Sequence, residues 1–403
     1  MSFLSRPNAA SSENESPSPD GFTSQIHKSR KPPNTAFRQQ RLKAWQPILT
    51  PKTVIPLLFL LAAVFAPLGI AIIYGTYNVQ NLVVDYTHCT DQPRAQYEAI
   101  PAKYTNWHFR SKNTNPEFKW KVANSTDSAG DLVQQCIIQF NLPHDLEAPI
   151  YLYYKLTNFY QNHRKYVNSY DLGQLGGNAV AGGSLTSNCN PLTTRNGKPV
   201  YPCGLVANSV FNDTFSSPVL LNAKSGSDNE TYVLSETGIS WSSDRKHKFK
   251  KTAYNPQDVV PPPNWAKKYP DGYTSENMPD LSQMEHLQNW MRTAGLPTFY
   301  KLYSHNKTTT FSSGTYELAI GMNYPVSVYG GTKSLVITTN SILGGRNMSL
   351  GIIYFIIAVL CLVSAVAFFL QYLIKPRRIG DHNFLQGNTG DAAAAAANLR
   401  DHL

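Results

Sequence analysis

The sequence predicts an α+β membrane protein: two transmembrane helices flank one large exoplasmic domain, mainly antiparallel β with long loops; the asymmetric, β-sandwich-like form of that domain is what a family resemblance given below implies. Three observations carry this reading. Two long runs, Val54 to Tyr74 and Leu350 to Ile374, contain no charged residue. Four cysteines and five N-x-S/T triplets fall in the segment between them, the last of the five, at Asn347, close to the second run. That segment is rich in tyrosine and β-branched residues, set out in short runs that alternate as strands do.

Taken in order, residues 1–36 are rich in Ser, Pro and Asn and poor in apolar residues, so a disordered tail is expected. Residues 37–53 form a basic juxtamembrane segment. Its FRQQRLKAW string mixes aromatic, Leu and basic residues, which fits a short interfacial helix with Trp45 at headgroup depth. The first span is placed at 54–78 and the second at 349–374. A helix of about 20 apolar residues crosses a hydrocarbon core roughly 30 Å thick, and only helices or closed barrels satisfy their backbone there. A core helix of a soluble protein rarely runs this far without a charge. Pro56 and Pro67 predict local kinks in the first span.

Charge sets the orientation. Arg38, Arg41, Lys43 and Lys52 precede the first span, and Lys375, Arg377 and Arg378 follow the second. Basic residues on the outer flanks of both spans put both tails in the cytosol. The first apolar run starts about 50 residues in and lacks a small-residue cleavage site, so a signal anchor is expected rather than a cleaved leader. The net charge of +10 does not indicate nucleic acid. Residues 1–53 hold eight basic and three acidic residues and 375–403 hold four and three, leaving 24 and 20 elsewhere, an ordinary surface. The surplus lies where anionic phospholipid headgroups attract it.

The segment 79–348 is long enough for one sizeable domain. Strands are expected at Val133 to Phe140, Ile150 to Leu156, Thr231 to Leu234, Tyr316 to Met322 and Leu335 to Thr339. A helix is expected after Asp280, where Gln283 completes a capping-box pattern, Leu281, Met284, Leu287 and Met291 recur at helical spacing, and Gly295 with Pro297 marks a stop. Glycines at 176–183, 330–331 and 344–345 mark loops or tight turns.

Cys89, Cys136, Cys189 and Cys203 suggest two disulfides in an oxidising compartment, with three connectivities open. The short Cys189–Cys203 loop, with Pro191, Gly197 and Pro202, favours that pair and leaves Cys89–Cys136. Asn124, Asn212, Asn229 and Asn306 are the expected glycosylation sites. Asn347 stands close to the second span, and Asn14 lies on the cytosolic side. Cys361 reads as a small apolar filler in mid-span. The tail 375–403 ends near a run of six alanines, to which no function is assigned.

No nucleophile elbow, zinc-protease helix, phosphate loop or dinucleotide fingerprint is present. No catalytic residue, metal site or cofactor is therefore expected. The spans carry no charge, whereas transporters place polar groups or broken helices at mid-membrane. The compact cluster His163, Arg164 and Lys165 is a candidate partner contact, with a solvated turn as the plainer reading.

Six strings are similar to one known family: FRQQRLKAWQPILTP, YKLTNFYQNHRKYVNSYD, CNPLTTRNGKPVYPCGLVANSVFND, WMRTAGLPTFYKLY, NYPVSVYGGTKS and GGRNMSLG. They resemble the cell-division-control protein 50 / ligand-effect modulator 3 family from about Phe37 to Arg378, in a fungal-type arrangement. The resemblance implies a non-catalytic β subunit that forms a heterodimer with the α subunit of a type IV P-type ATPase. Such an ATPase is a flippase that moves membrane phospholipids to the cytosolic leaflet. The resemblance also implies that the subunit accompanies the ATPase out of the endoplasmic reticulum towards Golgi, endosome or plasma membrane. Cys189 and Cys203 match the family's C…YPCG pair, and Cys89–Cys136 resembles the fungal pairing. Arg38, Arg41, Trp45, His163, Arg164, Lys165 and Lys333 are then candidates for the partner interface, and Gly69, Ala358, Ser364 and Ala365 for packing along partner helices. A stand-alone receptor or adhesion module would show the same cysteines and sequons, and is the alternative.

Overall fold

The computed structural model describes residues 33–43, 49–91, 95–110, 115–126, 132–185, 187–221, 229–341 and 344–375. It divides into two compact units, residues 1–54 with 378–403, and residues 55–377. In the first unit, Gln39 N–H donates to Thr35 O (3.0 Å) and Arg41 N–H to Ala36 O (2.7 Å), and Gln40 takes a left-handed φ of 54°. This is one turn over residues 36–40, not the interfacial helix expected there, because a left-handed residue ends a helical ladder.

Two helices, α1 (Pro51–Tyr77) and α6 (Ser349–Ile374), are long and apolar enough to cross a membrane. They pack on each other through small residues. Ile55, Ala62, Gly69 and Thr76 recur every seven residues on the buried side of α1, as do Gly351, Ala358 and Ala365 on α6. A seven-residue repeat keeps one seam of a helix facing its partner. At Gly69 a Cβ would sit 3.0 Å from Phe355 N and 3.1 Å from Gly351 O, so the two backbones meet there. Phe65 and Tyr354 close the seam edge to face, 5.4 Å apart.

Between the helices lie fourteen strands among the described residues. They are β1 (Asn81–Asp85), β2 (Glu98–Ala99), β3 (Thr105–His108), β4 (Phe118–Thr126), β5 (Leu132–Leu142), β6 (Ile150–Leu156), β7 (Thr194–Arg195), β8 (Lys198–Pro199), β9 (Thr214–Phe215), β10 (Val219–Leu221), β11 (Glu230–Thr231), β12 (Phe299–Asn306), β13 (Gly314–Gly321) and β14 (Lys333–Thr339). They form a five-stranded sheet, β12-β6-β14-β1-β3, and a larger one, β11-β10-β13-β5-β4-β2, with β9 also on β13. All of their pairings are antiparallel. Alternation builds the core. Ile150, Leu152, Tyr154 and Leu156 of β6, Ile138, Phe140 and Leu142 of β5, and Tyr316, Leu318 and Ile320 of β13 are all buried in one cluster.

The expected strand at Thr231 to Leu234 is only the two residues of β11. Beyond them Tyr232 turns inward, its hydroxyl donating to Thr309 O at 2.7 Å. The helix expected after Asp280 is also shorter, α5 (Glu285–Trp290). The Asp280 carboxylate accepts from Ser282 N (2.9 Å) and Ser282 Oγ (2.7 Å), and Gln288 Nε2 donates to Leu281 O (2.8 Å) and Ser282 O (3.0 Å). Those carbonyls are taken by a side chain, so no helical ladder forms before residue 285.

Two disulfides are present. Cys89–Cys136 ties the loop after β1 to β5 and so joins the two sheets, while Cys189–Cys203 closes the loop that carries the β7–β8 hairpin. The long excursion from β6 to β12 also holds three short helices, α2 (Arg164–Val167), α3 (Leu172–Leu175) and α4 (Leu205–Asn208). Gln174 anchors it: Nε2 donates to Val200 O at 3.0 Å, and Oε1 accepts from Cys203 N at 2.9 Å. Gly204, at φ 95°, lies so close to Ser169 that a Cβ would fall 2.1 Å from its carbonyl oxygen.

Candidate partner-binding surfaces

The end of the five-stranded sheet nearer the helices is tied directly to α1. β1 begins four residues after α1 and pairs with β14, which leads towards α6, with Asn81 opposite Thr338. Gln80 N–H donates to Thr339 Oγ1 and Thr339 N–H returns the bond to Gln80 O, both at 2.9 Å. The Gln80 side-chain oxygen accepts from Arg110 N at 3.1 Å and also contacts the His144 ring. His108 reaches Tyr77 O, at the end of α1, at 2.9 Å. A motion of α1 is thus passed straight to the sheet.

The opposite end of the sheet forms a tip. Six residue steps separate Thr339 from Lys333, about 20 Å at the usual strand rise. Three loops meet there. Phe159 N–H donates to Pro297 O (3.1 Å), Asn162 Nδ2 to Gly295 O (3.0 Å) and Asn158 Nδ2 to Tyr329 O (2.5 Å). The Phe159 ring points inward against Trp290 (5.6 Å) and Tyr329 (5.1 Å), and its neighbour Tyr160 is turned out. Leu296 and Val328, on the two other loops, are also exposed, at 70% and 83%. On the same tip α2 is held by Tyr166, whose hydroxyl lies 2.7 Å from Ser209 Oγ, and this leaves His163, Arg164 and Lys165 exposed.

Lys333 does not share that surface. It is 4% exposed, its ammonium lies 2.7 Å from Asp213 and donates to Tyr324 O at 2.9 Å. Asp213 also accepts from Tyr86 O–H (3.0 Å) and from the backbone N–H groups of Asn323 and Tyr324 (2.6 Å each). Burial, reinforced by this carboxylate, raises the Tyr86 pKa well above its ordinary value. Lys333 is therefore corrected from an interface candidate to an internal brace, since a buried ammonium makes no outside contact. A second correction concerns Gly69, Ala358 and Ala365, which are buried in the α1–α6 seam, with Ser364 half-buried beside it.

The other candidates divide as follows. Arg38 and Arg41 are exposed on the turn before α1, where Arg41 Nη2 also bonds Asn34 Oδ1, and Trp45 lies outside the described residues. Asn124, Asn212 and Asn229 are exposed. Asn306 is half-buried, its Nδ2 donating to Val233 O at 2.9 Å while its Oδ1 accepts from Thr308 and Thr309 N–H. Asn347 accepts from Ser349 N at the start of α6 (3.0 Å). Asn14, the alanine run and most of both tails lie outside the described residues.

Sequence reasoning missed the apolar members of the tip, because Tyr160, Leu296 and Val328 sit in loops without periodicity. It also missed a cationic strip, Lys246, His247, Lys250 and Lys251, exposed beside Arg245 and Arg292, whose charges are taken by Glu285 and Asp244. The DRKHKFKK run itself is the signal that would have found it. Among the described residues no group of three His, Cys, Asp or Glu side chains is placed to hold a metal ion.

A family profile described as the LEM3 (ligand-effect modulator 3) / CDC50 family matches residues 72–378. The phospholipid-transporting ATPase accessory subunit CRF1 of Saccharomyces cerevisiae is 48% identical over 365 residues, 90% of this chain and 91% of the relative. The phospholipid-transporting ATPase accessory subunit CDC50 of Chaetomium thermophilum is 44% identical, covering 93% and 95%. Cell cycle control protein 50A of Bos taurus is 37% identical, covering 84% and 87%. With the two long apolar helices, the braced β domain between them and a profile match from residue 72 to 378 that takes in the whole domain and α6, this chain belongs to the LEM3/CDC50 family.

Proposed function

We propose that this membrane protein is the non-catalytic β subunit of a type IV P-type ATPase, forming a heterodimer with the α subunit and supporting its folding, export and phospholipid translocation. It is not itself an enzyme. One observation carries the reading: relatives named as phospholipid-transporting ATPase accessory subunits align over nine-tenths of the chain. The architecture suits the role, because a rigid domain fixed to two apolar helices clamps a partner without doing chemistry. The test is affinity purification from native membranes in mild detergent. A co-eluting P-type ATPase is expected; its absence, under conditions that preserve other membrane complexes, overturns the proposal.

In this reading both termini are cytosolic, the domain between the helices is exoplasmic, and the complex works after leaving the endoplasmic reticulum, in Golgi, endosome or plasma membrane. Basic flanks support the orientation. Asn124, Asn212, Asn229 and Asn306 carry glycans, and glycosidase digestion of single Asn→Gln variants tests each. The segment bearing Arg38, Arg41 and Trp45 meets the partner's cytosolic face or anionic phospholipid. The exposed tip with His163, Arg164 and Lys165 faces partner loops. Arg164→Glu with Lys165→Glu should reduce co-purified ATPase several-fold with the fold intact, and unchanged recovery sinks this assignment.

A further inference from the structure

The edge strand β12 carries a histidine ring with nothing to bond. His305 stands opposite Tyr151 of β6, and Tyr151 alternates with the core residues Ile150 and Leu152, so both rings are on the outer face of the sheet. A histidine on an outer face meets water unless something covers it. His305 is only 8% exposed, and neither ring nitrogen has a hydrogen-bond partner among the described residues. The nearest backbone groups, of Gly238 and of His305 itself, lie outside hydrogen-bonding geometry.

The cover is one short turn, residues 235–238. Glu236, Thr237 and Gly238 are exposed, while Tyr232 before the turn and Ile239 and Ser240 after it are buried. Few bonds fasten it. Ser235 and His305 exchange backbone hydrogen bonds at 2.8 and 2.9 Å, Glu236 lies 3.0 Å from His286 Nε2, and Gly238 N–H donates to Glu285 Oε1 at 3.0 Å. A Cβ on Gly238 would stand 3.6 Å from His305 Nε2, so the turn rests directly on the ring.

We propose that residues 235–238 are an acid-sensitive strap, closed over the neutral His305 ring and released when that ring takes a proton from solvent. A charge buried without a partner is strongly unfavourable, whereas an open strap gives water to both nitrogens. The groups around the ring are Lys307 and Tyr303 on its own strand, Tyr151 on β6, Glu236 on the strap, and Glu285 and His286 on α5. Burial first, and the Lys307 ammonium second, lower the His305 pKa from its ordinary 6.5, and Glu285 only partly offsets them. The closed form is therefore at full strength above pH 6.5 and weakens as the pH falls below it. A proton on His286 acts in the opposite sense, because it strengthens the pair with Glu236. Glu285 stays ionised in this window: although burial opposes it, the Gly238 and Ser240 N–H groups and Arg245 lower its pKa. Release of Gly238 removes one donor from Glu285, which anchors Arg245 beside the cationic strip. Histidine switches of this kind read acidic compartments, and the proposed exoplasmic placement exposes the strap to them.

Hydrogen exchange of the full chain in mild detergent, at pH 7.5 and 5.5 and corrected for the intrinsic rate at each pH, tests the strap. The amides of Ser235, Gly238 and His305 should lose protection several-fold at pH 5.5, with about tenfold as the ceiling one unit below the ordinary histidine pKa. Those of β5 and β13 should hold. His305→Phe keeps a ring but cannot titrate, so its strap should stay as protected at pH 5.5 as at 7.5. His286→Gln should still show the loss, which separates the two histidines. Unchanged protection of the wild-type strap at pH 5.5 overturns the proposal, as does an equal loss in His305→Phe or a loss shared by β5 and β13. Should His305→Phe fail to fold, His305→Asn takes its place, and the wild-type comparison decides by itself. None of these readings depends on recovery of an ATPase, so failure of the subunit role leaves the result standing.

Discussion

Two lysines buried in the same domain have opposite reasons for being there. Lys333 faces a carboxylate that is itself held by a tyrosine hydroxyl and two backbone N–H groups. Removing one partner of a buried pair strands the other charge, typically at a cost of about 3–5 kcal/mol. Lys333→Ala should fall at the lower end, because Asp213 keeps its other three donors; thermal unfolding of the purified chain measures it. Arg164→Ala, on the exposed tip, should stay within about 0.5 kcal/mol. Lys301 has no carboxylate. Its ammonium donates to Asn289 O at 2.9 Å and to Arg292 O, just past α5. Burial first, and the Arg292 guanidinium second, lower its pKa from 10.5 to about 8. Between pH 8 and 10.5 the unfolded chain therefore holds a proton that the folded chain has released, and stability rises with pH across that window. The rise is worth up to about 3 kcal/mol at 1.36 kcal/mol per unit. Melting temperatures at pH 8, 9 and 10 should show it as a difference between wild type and Lys301→Met, which lacks the titration.

At the scale of elements, the disulfides divide the domain into parts of unequal consequence. Cys89–Cys136 joins the sheets across a separation of 47 residues, and Cys189–Cys203 closes 14. Loop entropy alone gives about 4 and 3 kcal/mol respectively. The first bond also holds the sandwich together. Cys89→Ser with Cys136→Ser should therefore expose the core to proteolysis, whereas the Cys189/Cys203 pair of changes should loosen mainly the α3–α4 region; limited proteolysis of the two variants separates the outcomes. These elements were legible to different degrees. The β6 strand stood out because Ile150, Leu152, Tyr154 and Leu156 alternate without interruption. The helix after Asp280 was over-read. Its apolar spacing is helical, but Asp280 and Gln288 bind the same turn from both sides, and such side-chain bonds leave no trace in periodicity. Lys333 was misplaced for a related reason: its partner Asp213 is 120 residues away in sequence. The apolar tip was invisible because loops carry no period.

For the whole molecule, the decisive feature is how little chain separates membrane from sheet. β1 starts four residues after α1 ends, and its partner strand β14 leads to α6. A partner that shifts α1 therefore moves the five-stranded sheet with it, since the His108 contact with Tyr77 and the Gln80 bonds to Thr339 follow directly on its end. This stiffness predicts a separation between binding and support of the ATPase cycle. Four residues, Gly-Ser-Gly-Ser, inserted between Asn78 and Val79 would lengthen the α1 connection at the expense of the Val79 N–H to Thr76 O bond, leaving both sheets and both disulfides in place. The domain should still fold and both disulfides should still form. The ATPase should still co-purify, because the two spans and the tip remain. Its phosphorylation and lipid transport should fall several-fold, because the clamp no longer moves with the spans. Full transport with the insertion in place would mean that the domain acts as a passive cover, and that the short connection serves assembly alone.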